Sequence, residues 1–156
     1  MTWPDYVTIG LCIALGIVES KRGFVPAFFA MIGVIITIEI AAATYTNLVS
    51  SSLSYASAYI ICVLIGVAIV AGLTTLIIRY APTDIGSFDS SLGGLMGIIT
   101  GLVLSHAMYG AVILAYGSKL APVYANSALA GQVYELRAFH GFMDFISRIG
   151  TTDIAK

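Results

Sequence analysis

From Phe24 to Ile78 the chain carries a single charged side chain, Glu39. A water-soluble fold cannot absorb such a stretch without exposing apolar patches far larger than solution tolerates. The rest of the chain agrees: of 156 residues, 59% are hydrophobic and only 10% are charged, and the mean hydropathy is +0.99. The soluble and disordered classes fail at this step. A formal net charge of -1 leaves no basic footprint, so nucleic acid is excluded as a partner. The partner that remains is the lipid bilayer.

Four apolar runs follow one another. The first covers Tyr6 to Val18 and extends back to Trp3, with Trp3 and Tyr6 as interfacial anchors and Pro4 suited to a first helical turn. Glu19 to Gly23 breaks the pattern as a tight turn. The second run spans Phe24 to about Tyr45, the third Tyr55 to Tyr80, and the fourth Leu92 to about Tyr116. Between them lie an uncharged polar loop, Thr46 to Ser54, and a loop from Ala81 to Ser91 that carries Asp84 and Asp89. A bilayer core of ~30 Å needs about 20 helical residues, so each run is a candidate span, the first of them short. Because it lacks a preceding Lys or Arg and leads straight into a second run, it reads as a retained anchor, not a signal peptide.

Lys21, Arg22 and Arg79 fall on one side of this arrangement, and the opposite loop carries no cation. The positive-inside rule then places the charged loops in the cytoplasm and both termini outside. From about Ser127 to Ile149 the tail reads as a further helix, with Arg137, Gly141, Asp144 and Arg148 on one narrow face and apolar residues over most of the rest. Such a helix is too interrupted to span. It either lies in the headgroup plane or packs on a protein partner or a second subunit. The expected organisation is therefore all-α: a four-helix transmembrane domain over residues 1–118, and an amphipathic C-terminal tail over 119–156.

Gly93, Gly97, Gly101 and Ser105 recur every fourth residue along the fourth run. A stripe of this kind lets two helices approach closely in lipid, where van der Waals contact replaces the hydrophobic drive. Gly66 and Gly72 in the third run, or Ala41 to Ala43 in the second, are the surfaces expected to receive it, in the same chain or in a second copy.

Two ionisable residues sit inside the spans. Glu39 lies 15 residues beyond Phe24 and His106 lies 14 beyond Leu92. At ~1.5 Å per residue both are roughly 21–23 Å from the charged side, so a hydrogen bond or ion pair between them is geometrically allowed. Such a pair would be either proton-responsive or a static polar staple; the two residues would otherwise reach water separately. At the charged side, Asp89 suits the positive end of a helix, and Arg22 is positioned to pair with it across the bundle. Asp5 at the far side reads as a cap or a headgroup-level residue.

Catalytic chemistry finds no footing. The sequence has no His-Glu-x-x-His, Cys-x-x-Cys, Gly-x-Ser-x-Gly or phosphate-loop motif, and its two histidines are too few for a plain histidine metal site. Cys12 and Cys62 read as small apolar fillers. No enzyme activity, metal or cofactor is expected.

Trp3-x-Asp5-Tyr6 opening an apolar helix, Arg22-Gly23-Phe24 starting the next, and Asp89-x-x-x-Gly93-x-x-x-Gly97-x-x-x-Gly101 together resemble the colicin V production protein family, over about residues 1 to 130. The resemblance implies a four-helix protein of the bacterial inner membrane, linked to colicin V production, envelope homeostasis and biofilm behaviour. It singles out Asp5, Arg22, Gly23, Phe24, Asp89, Gly93, Gly97 and Gly101, and attaches no biochemical activity to them. Glu39, His106 and the tail fall outside its pattern. The expected function is a non-enzymatic, self-associating scaffold or accessory protein. The alternative is a small oligomeric channel or transporter lined by Glu39 and His106.

Overall fold

The computed structural model describes residues 2–50, 53–80, 86, 88–117, 126–130 and 133. They form four long helices: α1 (Trp3–Arg22), α2 (Phe24–Thr44), α3 (Tyr55–Tyr80) and α4 (Asp89–Tyr116). A 3-10 turn, Tyr45–Leu48, extends α2, and paired backbone hydrogen bonds between Ser50 and Leu53 close the connection to α3. The protein is an all-α, multi-pass membrane protein. Among the described residues three segments are long and apolar enough to cross a bilayer: Phe24–Leu48, Tyr55–Tyr80 and Asp89–Tyr116.

α1 is longer than its apolar run. Glu19 to Arg22, expected as a turn, are its last helical residues, held by an Arg22 to Glu19 ion pair of 3.0 Å one turn apart. Helix ends where Gly23 adopts a φ of 90°, a conformation that side chains with a Cβ rarely take. α2 starts at the next residue. α4 likewise starts earlier than hydropathy suggests, at Asp89, because the acid favours the positive end of a helix.

Packing follows small residues. A methyl group placed on Gly101 would lie 2.7 Å from the Cα of Cys12, one on Gly93 would lie 2.6 Å from the Glu19 carbonyl oxygen, and one on Gly97 would overlap the Leu15 carbonyl. The descending order of α1 partners makes the two helices antiparallel, in backbone contact along much of their length. α2 and α3 are also antiparallel, with Gly33 against Val70 and Gly66 against Thr37. The inner face of α2 repeats at helical spacing, through Ala27, Ala30, Val34, Thr37, Ile38 and Ala41. Val34, Ile38 and Ala41 meet Tyr59 of α3 and Ala107 and Ala111 of α4 in one apolar cluster. α2 and α4 therefore run parallel, and α3 is the most peripheral helix, buried only at Ala56, Ala58, Tyr59 and Thr74.

The glycine stripe of α4 is thus received by α1, not by Gly66, Gly72 or Ala41 to Ala43 as the sequence suggested. Gly72 has nothing within 4 Å. On α1, Gly97 and Gly101 meet the backbone of Leu15–Gly16 and Leu11–Cys12, and Gly93 meets that of Glu19 and Gly23, while the small residues Thr8, Cys12, Gly16 and Ser20 recur there at the same four-residue interval.

Candidate functional site: two polar junctions

Each end of the α1–α4 pair is closed by a carboxylate that accepts hydrogen bonds from distant backbone. At one end α2 starts directly after Gly23, so its first N–H groups lack intrahelical partners. Oδ1 of Asp89 accepts the Phe24 N–H at 3.0 Å, capping α2 from a position 65 residues away in sequence. Oδ2 lies so close to Gly23 that any Cβ there would collide with it. Ser20 and Ser90 hydroxyls meet at 2.7 Å beside this contact. Asp89, Gly23, Phe24 and Gly93 are thus brought together, as is Arg22, but Arg22 pairs with Glu19 and not with Asp89 as expected. Helical spacing decides this: Glu19 stands one turn back on the same face of α1, with no long reach across the bundle.

Glu19 is a site residue that sequence reasoning missed. Its side chain is buried, Oε1 binds Arg22, and Oε2 has no hydrogen-bond partner among the described residues. Only its position beside Arg22 at the end of an apolar run marked it.

At the other end Asp5 is fully buried. Its carboxylate accepts the Thr2 N–H at 2.7 Å, the Ser127 hydroxyl at 2.5 Å, and the Ala128 and Leu129 N–H groups at 3.3 and 3.0 Å. Every partner is a donor, which suits an ionised carboxylate, an acceptor at both oxygens. Ser127 also accepts the Ala130 N–H at 2.9 Å, so it acts as an N-cap, and the Val133 N–H donates to Leu129 O at 2.8 Å in helical register. Asp5 therefore does more than cap its own helix: it holds the first turn of the tail. Ala130 and Val133 are buried against Tyr109, and the Thr8 hydroxyl donates to Tyr109 at 3.4 Å. The beginning of the tail packs on the protein's own bundle. The remainder of the tail helix expected from 127 to 149, with Arg137, Asp144 and Arg148, lies outside the described residues.

Glu39 and His106 are not brought together. Both lie well along their helices, Glu39 15 residues past Phe24 and His106 17 past Asp89, the acid that caps Phe24. Their faces differ. Glu39 follows Ile38 by about 100° of helical rotation, which moves it off the inner face and onto the exposed one with Ile35, Ile36 and Ile40. His106 donates from Nδ1 to the Val133 carbonyl at 3.0 Å, tying the tail to α4. Ser105 is buried and donates to the Gly101 carbonyl at 2.8 Å. Among the described residues no group of three or more His, Cys, Asp or Glu side chains is placed to hold a metal ion.

No protein-family model matches the chain, and no curated protein or solved structure is significantly similar to it.

Proposed function

We propose that the chain is a non-enzymatic scaffold or accessory protein of the bacterial inner membrane, supporting toxin production, export or envelope maintenance. In this reading α1 is a fourth span, about 30 Å long at ~1.5 Å per residue, and both termini lie outside the cytoplasm. The observation that carries the proposal is how the motif acids are used. Asp5 and Asp89 each bind backbone N–H groups of a distant segment, so the polar residues of the motif hold helices and tail in place. Association with a second copy would use a face other than the glycine stripe, which α1 already fills.

The test is complementation. In a bacterial strain that carries a colicin V plasmid and lacks its own protein of this family, expression of the chain is expected to restore toxin release. Membrane-inserted, folded protein that restores nothing would refute the reading. The channel alternative separates on flux: it requires dissipation of a proton gradient in proteoliposomes that Glu39→Gln or His106→Phe changes, whereas a scaffold leaves the gradient standing.

A further inference from the structure

Glu39 poses the sharpest physical problem in the molecule. It lies within a span, 15 residues past Phe24 and five before Thr44, on the exposed face of α2. Around it are Ile35, Ile36 and Ile40, at 40, 52 and 57% exposure, and the small exposed Ala42 and Ala43. Among the described residues it makes no hydrogen bond or ion pair. An ionisable side chain at membrane depth is costly unless it faces the bundle interior or finds a partner, and glutamate has a shorter stem for reaching water than lysine or arginine.

Among the described residues no cation stands at its level. The register of α2 against α3 brings Leu64 to the level of Glu39, and Arg79 lies near the level of Phe24, at the far end. Lys21 and Arg22 belong to that far end too. Of basic side chains α4 holds only His106, turned to the tail. A second copy meeting the same face about a two-fold axis would set Glu39 against Glu39, a repulsive juxtaposition.

We infer that the α2 face formed by Ile35, Ile36, Glu39 and Ala43 is the docking surface for a transmembrane helix of a different protein that carries a lysine or arginine at the depth of Glu39. Ala42 and Ala43 lie one turn from the acid and leave room for a close backbone approach, while the isoleucines supply apolar contact above it. The inference rests on the accessory-protein reading and gives that partner its chemistry: an apolar helix with one buried cation.

The experiment uses the purified full chain in liposomes with synthetic leucine–alanine transmembrane peptides, read by energy transfer between fluorophores. One peptide has a single lysine at the matching depth; a control has leucine there. The lysine peptide is expected to associate about tenfold more tightly than the control, in line with an interhelical polar contact of order 1–2 kcal/mol. Glu39→Leu should abolish the difference and Glu39→Gln should leave only part of it. Glu39 is exposed, so both variants are expected to fold, which circular dichroism checks. Equal association of the two peptides, or a difference that survives Glu39→Leu, overturns the inference. Glu39-dependent energy transfer between two labelled copies of the chain overturns it as well, by making a second copy the occupant. Complementation of colicin V production does not enter this readout, so the two proposals fail separately.

Discussion

Gly97→Leu is expected to abolish the native bundle, with the largest effect of any substitution at an uncharged position. Even a single methyl at Gly97 would overlap the Leu15 carbonyl and lie 2.8 Å from the Leu15 carbonyl carbon and 2.9 Å from the Gly16 Cα. These are backbone atoms of a long helix, so no rotamer change relieves the clash. Overpacking costs ~1–3 kcal/mol where side chains can adjust, and more where they cannot. Gly97→Ala should lower the unfolding midpoint in mild detergent by on the order of 10 °C, taking about 3 kcal/mol and ~2–4 °C per kcal/mol. Gly97→Leu should give no monodisperse protein. Gly10→Ala and Gly72→Ala are the controls, since nothing lies within 4 Å of a methyl at either site. They are expected to leave the midpoint within about 2 °C, corresponding to surface substitutions of ~0.5 kcal/mol or less. A Gly97→Ala protein as stable as these controls would mean that α1 does not occupy the stripe.

The second large effect is expected at Asp5. Asp5→Ala leaves the Ser127 hydroxyl and the Thr2, Ala128 and Leu129 N–H groups without their acceptor, at a site with no exposure. Hydrogen bonds to a charged group contribute ~1.5–3 kcal/mol each, and stranded buried donors carry a desolvation penalty of ~1–3 kcal/mol, so a total loss of at least 3 kcal/mol is expected. Asp5→Asn should be nearly as damaging. Both carboxylate oxygens accept, so either orientation of the amide points its NH2 at a donor. Hydrogen exchange checks this: the Ala128 and Leu129 amides should lose protection in both variants, while amides in the middle of α2 keep theirs. Full protection of those two amides in Asp5→Asn would show that Asp5 does not hold the tail.

Much of the architecture was legible in hydropathy alone. α2 and α3 emerged almost at their observed limits because one charge in the whole stretch leaves no other reading. The ends of α1 and α4 were less visible, since they are set by polar contacts. Glu19 to Arg22 look like a loop in composition and are helical because an ion pair and Gly23 define the stop. Asp89 opens α4, where an acid favours the positive helix end, and its side chain also caps α2, a partner 65 residues away. The stripe on α4 was plain, and its partner was not. Thr8, Cys12, Gly16 and Ser20 recur at the same four-residue interval, but alternating with bulky residues they read as an ordinary apolar run. Which small faces meet is a property of three-dimensional register that no single helix displays.

The ionisable residues teach a related lesson. Equal distance along two spans made a Glu39–His106 pair allowable. Pairing also requires a shared face, and one position of helical rotation separates Glu39 from the inward Ile38. Asp5 was expected to act locally and instead joins α1 to Ser127, more than a hundred residues on. A capping acid in sequence shows its own helix but not a second segment that uses the same oxygens.

The account turns on α1 and α4 being antiparallel partners within one chain. Cysteine cross-linking tests that most directly, using Ser20→Cys with Ser90→Cys in a background of Cys12→Ala and Cys62→Ala. The two hydroxyl oxygens are 2.7 Å apart, which brings the side chains within disulfide range. In native membranes under mild oxidation the account predicts a disulfide inside a single chain, seen as a monomer whose two thiols no longer react with maleimide. Cross-linked dimers in its place, or thiols that stay free, would contradict it.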